Sequence, residues 1–174
     1  TGWLYSNVGY LLLRQALERI HDTPFAEIIQ NEVCRPLGIE AKLAMTQRDF
    51  EKLHWASVDG YHPGWVYHGC LMGTALEAAK ILHALLSGKI LSESVLQTML
   101  TQQMRSGPIP GRVWSETGYG LGIMVGSVGK AGRIIGHTGC GPFCANMVAQ
   151  FPDHPQQLTV ATFTEGGDET PAEF

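Results

Sequence analysis

The feature that most constrains the fold is a change in hydrophobic spacing near residue 118. Before it, apolar residues recur three and four positions apart, which indicates amphipathic helices. After it come four short runs separated by glycine, proline or polar turns: YGLGIMV, GRIIGHTG, ANMVAQF and LTVATFT. Runs of this length joined by short connections predict an antiparallel meander. We therefore predict an α+β fold, mainly helical over residues 1–117 and formed of antiparallel strands over 118–174.

Four helices are expected in the first part, because each apolar-periodic stretch follows a residue suited to cap it. Their predicted starts are Ser6 or Asn7, Thr23 followed by Pro24, Thr74 with Glu77 in capping-box spacing, and Ser92. The second helix is expected to end at Pro36 or Gly38, the third at Gly88 and the fourth near Leu100. Residues 39–73 are interpreted as irregular surface structure.

Length and charge limit the functions available to the chain. Its 174 residues, 44% of them hydrophobic, suffice for one domain or for a large part of a bigger one. The formal net charge of -4 gives no attraction to nucleic acid or anionic membranes, so neither is expected as a partner. No apolar run approaches the roughly 18 residues of a membrane span. The first residue is Thr1 instead of Met, which suggests that an upstream segment has been removed.

Cysteines and histidines give no sign of a metal or cofactor. None of the cysteines forms a CxxC pair, and we expect buried free thiols at Cys34, Cys70, Cys140 and Cys144. Three histidines fall among aromatic residues in the middle of the chain, at spacings that fit neither HExxH nor a short zinc pair: His54, His62 and His68. We interpret that segment as a packed loop and predict no metal and no cofactor.

Two polar motifs remain, Tyr5-Ser6-Asn7 at a helix start and His137-Thr138-Gly139 at a strand end. They resemble the second and third signatures of the penicillin-recognising serine enzymes, namely class C β-lactamases, DD-peptidases and related esterases and aminopeptidases. The resemblance extends over nearly the whole chain through YSNVGYLLLRQALERI, PFAEIIQNEVCRPLGI, GTALEAAKILHALLSGKIL, YGLGIMV, GHTGCGP and LTVATFT. It implies a β-lactamase/transpeptidase-like fold, incomplete at the N-terminus and, at PAEF, at the C-terminus.

The resemblance also implies roles for the first motif. In such enzymes a serine attacks a carbonyl to form an acyl-enzyme, and a nearby tyrosine relays the serine proton to the leaving group. Tyr5 would be this acid/base, and Asn7 would bind the substrate's amide side chain. Ser6 would orient the loop.

The second motif would bind the substrate. His137 replaces the lysine of many β-lactamases, so its positive charge would fade as pH rises, because an ordinary histidine titrates near pH 6.5. Thr138 would hydrogen-bond the substrate carboxylate, and the backbone beyond Gly139 would let substrate lie along the edge as an added strand. The amide N–H of Cys140 would be one oxyanion donor.

The family's nucleophile motif, Ser-x-x-Lys before a buried helix, has one literal match, at Ser127–Lys130. Glycines surround that match and no apolar helix follows, so we expect a serine at a hairpin tip and not the nucleophile. The resemblance therefore implies that the nucleophile is absent from this chain, which alone should be inactive. Without the family's N-terminal segments we expect exposed apolar surface and an unpaired sheet edge, through which copies could associate.

Three hypotheses about function remain open. In the first, the complete protein is a β-lactamase or DD-peptidase-like hydrolase acting on β-lactams or amides of D-amino acids. In the second, it is an esterase or D-aminopeptidase, which the HTG triplet allows. In the third, it is a non-catalytic module that binds peptidoglycan-like peptides. Related enzymes work in the bacterial periplasm or outside the cell, although related esterases occur in the cytosol.

Overall fold

The computed structural model describes residues 3–54 and 61–173. This part of the chain forms two compact units, the first ending at Glu77 and the second beginning at Ala78. Thr1 and Phe174, on which two of the sequence predictions depend, lie outside the described residues.

The first unit opens with α1, Asn7–His21. Its N-cap is Ser6, whose hydroxyl oxygen accepts a hydrogen bond of 3.1 Å from the N–H of Gly9. This bond satisfies one of the N–H groups that a helix start leaves without a partner. The predicted helix start is thereby confirmed, with Ser6 as the cap.

The second helix begins differently from the prediction. Helix α2, Phe25–Ile29, has Pro24 and not Thr23 as its N-cap, and it continues as a π-helical turn, Gln30–Cys34. The hydroxyl of Thr23 instead donates to the carbonyl of His21. A side chain of the preceding helix takes over the capping, since Glu18 Oε1 accepts the N–H of Phe25 at 3.0 Å.

The segment after residue 38 contains more regular structure than predicted. It forms strand β1 (Lys42–Leu43), helix α3 (Gln47–Phe50), a 3-10 turn (Pro63–Trp65) and strand β2 (Leu71–Met72). Strands β1 and β2 pair antiparallel. Several of its side chains are buried, including Ile39, Ala41, Ala44 and Phe50. The interpretation as irregular surface was wrong here because strands of two residues leave no alternating pattern to recognise.

Helix α4, Ala75–Leu86, crosses the boundary between the units, and α5, Glu93–Leu100, follows it. The predicted capping box is present, because the N–H of Glu77 donates to the Thr74 hydroxyl at 3.2 Å while the Glu77 carboxylate accepts the N–H of Thr74 at 2.8 Å. Gly88 follows the end of α4 with a positive φ of 73°, as a glycine stop should.

The second unit is built on a six-stranded antiparallel sheet. Its strands are β3 (Met104–Ser106), β4 (Thr117–Tyr119), β5 (Met124–Val128), β6 (Gly132–Cys140), β7 (Cys144–Phe151) and β8 (Leu158–Glu165), and α6 (Thr170–Glu173) closes the described chain. Each strand pairs with its neighbour in sequence, so the sheet order is β3-β4-β5-β6-β7-β8. The predicted antiparallel meander is confirmed.

The predicted run YGLGIMV is two strands and not one. Strand β4 ends at Tyr119, the chain turns through Gly122 at a φ of 75°, and β5 starts at Met124. A hydrogen bond of 2.8 Å from the N–H of Gly120 to the carbonyl of Ile123 closes this turn. Glycines two positions apart, here Gly118, Gly120 and Gly122, occur in turns as well as in strands, so the sequence alone predicts a single strand.

Packing covers both faces of the sheet. Ile134 and Ile135 are neighbours on β6 and point to opposite faces. Ile134 belongs to a buried cluster with Trp114, Met147, Ala149 and Ala172, whereas Ile135 packs with Leu82 of α4 and Ile123. A strand buried on both faces reads as a continuous apolar run, as GRIIG does.

Two apolar regions stay exposed, as the sequence predicts. Helix α1 has no fully buried residue, and its exposed apolar side chains are Val8, Leu12, Leu13, Leu17 and Ile20. In the described part of the chain, β8 pairs with β7 alone, and Leu158 and Val160 on it are exposed. Self-association through this edge stays a prediction. No helix among the described residues is long and apolar enough to cross a membrane.

Candidate active site

The Tyr5-Ser6-Asn7 motif lies in the first unit, where the chain enters α1. Tyr5 and Asn7 are exposed, on either side of the Ser6 cap. The Tyr5 ring lies 5.6 Å from that of Tyr10, measured between centroids, and Tyr10 lies 6.0 Å from the ring of His68. The capping bond of Ser6 holds the backbone between Tyr5 and Asn7. A role of this serine in orienting the loop for catalysis stays a prediction.

The helix behind this motif is anchored by one ion pair. Arg14 Nε lies 3.3 Å from Glu18 Oε1, and the Arg14 guanidinium lies 5.6 Å from the centroid of the Phe25 ring. Arg14 also donates to the carbonyl of Tyr67. The hydrogen bond from the N–H of Phe25, followed by the contact with Arg14, holds the pKa of Glu18 below its ordinary value. The carboxylate therefore stays ionised at neutral pH and fixes α1 to α2 and to the segment at Tyr67.

The His137-Thr138-Gly139 motif and Cys140 lie in the second unit, at the end of β6. Strand β5 pairs with β6 only from Gly132 to Gly136. Strand β6 continues to Cys140, and β7 pairs with it over that whole length. Among the described residues, no strand pairs with Thr138, Gly139 or Cys140 on the β5 side. The motif thus lies where one edge of a central strand becomes accessible.

The register of β6 and β7 fixes which backbone groups point toward this edge. The N–H of Gly141 donates to the carbonyl of Cys144 at 2.9 Å, which makes these two residues a hydrogen-bonded pair. Bonded and non-bonded pairs alternate in an antiparallel ladder. Cys140 opposite Ala145 and Thr138 opposite Met147 are then non-bonded pairs, whose N–H and C=O groups point away from β7. The Cys140 N–H therefore faces the accessible edge.

The imidazole of His137 is half-buried and bonded through both ring nitrogens. Nε2 lies 2.8 Å from the hydroxyl oxygen of Tyr119, and Nδ1 lies 2.5 Å from the carbonyl oxygen of Thr138. Sequence reasoning missed Tyr119, which is 7% exposed at the end of β4. A signal existed, because a tyrosine inside a predicted buried strand needs a partner for its hydroxyl.

The remaining side chains of the motif are held by neighbouring strands. The Thr138 hydroxyl donates to Met124 Sδ at 3.8 Å. A Cβ added to Gly139 would lie 3.0 Å from Nδ2 of Asn146 on β7, so a larger residue at 139 would press on that amide. The Cys140 thiol donates to the carbonyl of Gly167 at 3.1 Å, beyond the end of β8. The backbone at the accessible edge therefore has fixed neighbours.

The prediction for the cysteines was correct on bonding and wrong on burial. All four are free thiols, but only Cys34 is buried, and Cys140 is exposed. Cys140 is exposed because it ends β6 beyond the part that β5 covers. Partial burial, followed by the nearby carboxylates of Glu169 and Asp168, still raises the pKa of the Cys140 thiol. Less of it is thiolate at neutral pH than for an ordinary cysteine.

The Ser127–Lys130 match has no catalytic surroundings. Ser127 is the last residue but one of β5, paired with Arg133 of β6, and its hydroxyl oxygen lies 3.0 Å from that of Ser115. A 3-10 turn, Gly129–Ala131, leads directly into β6, so no helix follows the serine. The predicted hairpin is present, although Ser127 is half-buried on a strand and not exposed at the tip.

Residues that could bind a metal do not converge in the described part of the chain. Among residues 3–54 and 61–173, no group of three His, Cys, Asp or Glu side chains has an arrangement that could hold a metal ion.

A family model and a curated protein both match most of the chain. A family model described as Beta-lactamase matches residues 1–173. A curated penicillin-binding protein from Bacillus subtilis (strain 168) is 21% identical over 184 residues, which cover 90% of this chain and 39% of that protein. The chain thus spans well under half of the length of this curated relative.

Solved structures confirm the predicted α+β fold of β-lactamase/transpeptidase type. A D-stereospecific amidohydrolase from Streptomyces sp. matches with a TM-score of 0.75 at 22% identity, over 100% of this chain and 55% of that one. D-amino acid amidase from Ochrobactrum anthropi SV3 matches with a TM-score of 0.75 at 20% identity, over 97% and 52%. An octameric penicillin-binding protein homologue from Pyrococcus abyssi matches with a TM-score of 0.73 at 21% identity, over 97% and 40%.

Proposed function

Because the chain belongs to the Beta-lactamase family, we propose that the complete protein is a serine hydrolase that forms an acyl-enzyme on β-lactams or on amides of D-amino acids. The observation that carries this proposal is the end of β6, where His137, Thr138 and Cys140 follow one another along an accessible strand edge. An extended substrate can add to such an edge as a further strand. Its reacting carbonyl then meets backbone N–H groups already in place.

In the proposed mechanism each motif has one task. The Cys140 N–H stabilises the negative charge that develops on the carbonyl oxygen during attack. Protonated His137 and the Thr138 hydroxyl attract the substrate carboxylate. Tyr5 passes the proton of the nucleophile to the leaving nitrogen, and Asn7 binds the amide side chain of the substrate.

We further propose that the nucleophile comes from outside these 174 residues. Ser127 is hydrogen-bonded to Ser115 and is followed by a turn, whereas an activated serine needs a base within hydrogen-bonding reach. The isolated chain should therefore bind substrate weakly and turn over none.

The test is acylation of the complete protein, expressed from its full coding sequence, by a fluorescent penicillin, followed by intact-protein mass spectrometry. We expect a covalent adduct on a serine in a Ser-x-x-Lys context. Hydrolysis of a D-amino acid amide, its L enantiomer and a simple ester, measured in parallel, separates an amidase from an esterase.

Tyr5→Phe should slow acylation by about 100-fold or more, the usual contribution of a general acid/base. Tyr67→Phe is the matched control, because Tyr67 and Tyr5 are both 41% exposed and belong to the same unit. If the complete protein shows neither adduct nor hydrolysis, the non-catalytic binding module becomes the better explanation. Equal effects of the two substitutions would show that Tyr5 is not part of the proton relay.

A further inference from the structure

Tyr119 meets His137 with its hydroxyl and with its ring. The phenol oxygen lies 2.8 Å from Nε2, and the two rings meet edge to face with centroids 5.6 Å apart. Tyr119 is 7% exposed, so its hydroxyl is largely withdrawn from water. A buried phenol ordinarily has a hydrogen-bond partner, and here that partner is the histidine at the accessible end of β6.

The second contact of the imidazole determines its tautomer. A carbonyl oxygen can only accept a hydrogen bond, so Nδ1 at 2.5 Å from the Thr138 carbonyl carries a proton. In the neutral ring, Nε2 is then the acceptor and the Tyr119 hydroxyl is the donor. When Nε2 gains a proton, it donates to the phenol oxygen. The hydroxyl can rotate between these roles, so Tyr119 serves both charge states of His137 without moving.

The backbone of Tyr119 is fixed on both sides. Its carbonyl accepts the N–H of Gln103 at 2.7 Å, and Tyr119 is paired with Met104 on β3 and with Met124 on β5. A Cβ added at the following residue, Gly120, would lie 2.2 Å from the carbonyl oxygen of Met99, so the chain is tightly packed there. The phenol is presented to His137 from a rigid element.

We propose that Tyr119 is a positioning residue that fixes the direction of the His137 ring and so keeps Nδ1 against the Thr138 carbonyl, which selects the Nδ1–H tautomer. The contact itself is a property of the fold, whereas its effect on catalysis depends on the hydrolase function proposed above. A ring that rotates would lose the Thr138 bond, and its charge would no longer lie at a fixed place beside the edge. Hydrogen-bond partners that orient metal-bound histidines are worth about 10–100-fold in affinity or activity, and we expect the lower end of that range for this metal-free contact.

The experiment compares wild type with Tyr119→Phe in the complete protein labelled with nitrogen-15 histidine. Phe keeps the ring and removes only the hydroxyl. Signals of His137 are assigned by their loss in His137→Gln. At a pH where the ring is neutral, wild type should show a protonated Nδ1 and an unprotonated Nε2. In Tyr119→Phe both signals should move toward the average of two exchanging tautomers, because a rotating ring leaves the Thr138 carbonyl. Tyr67→Phe should leave them unchanged.

Kinetics provide the second readout. Tyr119→Phe should lower kcat/KM by about 10-fold while the urea midpoint stays close to that of wild type. Unchanged His137 signals in Tyr119→Phe would overturn the proposal, whatever the kinetics show. If the wild-type protein has no hydrolytic activity, the proposed function fails separately, and the nitrogen-15 spectra still decide whether Tyr119 keeps the His137 ring against the Thr138 carbonyl.

Discussion

The indole Nε1 of Trp114 donates a hydrogen bond of 2.7 Å to Oε1 of Glu173. The Glu173 side chain is fully buried and also receives the guanidinium of Arg112, which forms a second ion pair of 2.8 Å with the half-exposed Glu169. The contact with Glu173 comes first among the causes that raise the pKa of Arg112. This cluster joins α6 to the loop before β4, beside the core around Ile134.

Glu173→Ala should lower the free energy of unfolding by about 3 kcal/mol, because it leaves the Trp114 N–H and part of the Arg112 charge buried without an acceptor. Glu169→Ala is the control, since it removes a partner of the same guanidinium that is 26% exposed. Its cost should stay below about 1 kcal/mol. Urea unfolding of both variants of the complete protein measures the difference, and equal losses would contradict this account of the cluster.

Cys140 offers a test that separates backbone from side chain. Cys140→Ala keeps the N–H at the accessible edge and should retain most of the activity. Cys140→Pro removes that N–H, which the register directs away from β7, and should lower kcat by about 100-fold or more. The control is the urea midpoint of the proline variant. Full activity in a folded Cys140→Pro protein would show that this N–H is not an oxyanion donor.

Gly136→Ala should separate β6 from β7 directly before the HTG motif. The added Cβ would lie 2.0 Å from the carbonyl oxygen of Val148, a backbone atom that cannot move without breaking the ladder. We expect a loss of stability of about 1–3 kcal/mol. Gly107→Ala, where no heavy atom lies within 4 Å of the new Cβ, should change stability by less than about 0.5 kcal/mol. Thermal unfolding of the pair measures the contrast, and similar midpoints would argue against this close approach.

The pH dependence of stability should include a contribution from Asp49. Its Oδ2 accepts the N–H groups of Met45 and Thr46 at 2.9 and 2.8 Å, and these bonds lower its pKa to about 2. The ordinary pKa, 3.8, is that of the unfolded chain. Because the folded value is lower, the stabilisation is fully present above about pH 4 and is lost as pH falls through 2.

Asp49→Asn should therefore weaken the fall of the melting temperature between pH 5 and pH 2 relative to wild type. Glu51→Gln, at an exposed carboxylate two residues away, serves as the control and should follow the wild-type curve. Parallel curves for wild type and Asp49→Asn would show that the capping bonds do not favour the ionised form. Differential scanning calorimetry in one buffer series measures all three proteins.

His137→Lys should extend activity to higher pH. A lysine ammonium ordinarily keeps its positive charge up to about pH 10, so the attraction for a substrate carboxylate should persist to high pH in the variant. His154→Lys, in the exposed turn after β7, is the control for added charge. The measurement is kcat/KM from pH 5 to 9. Identical profiles for wild type and His137→Lys would show that the charge at residue 137 does not contribute to substrate binding.

Prediction from sequence succeeded where the pattern was local and repeated. The helix cap at Ser6, the capping box at Thr74 and the short apolar runs of β6 to β8 all depend on residues a few positions apart. The motif residues were found through resemblance. The structure adds that Gly139 has no side chain that would press on the close amide of Asn146.

What the sequence did not show depends on contacts between distant residues. Glu18 caps α2 from another helix, seven positions before Phe25, whereas an N-cap side chain ordinarily bonds an N–H two or three positions later. Tyr119 reaches His137 across 18 positions because β4 and β6 flank β5 in the folded sheet. The two-residue strands β1 and β2 are defined only by their pairing with each other, about 30 positions apart in sequence. None of these relationships leaves a periodic trace in the chain.

Strand β6 continues for four residues, His137 to Cys140, beyond the part that pairs with β5, and this extension has an evolutionary consequence. The accessible edge they create presents mainly peptide groups, and every residue except proline carries the same N–H and C=O. Side chains elsewhere on β7 and β8 can then diverge widely as long as the strands keep their register. If the proposed function holds, such an edge can keep binding substrate through sequence drift that erases most identities.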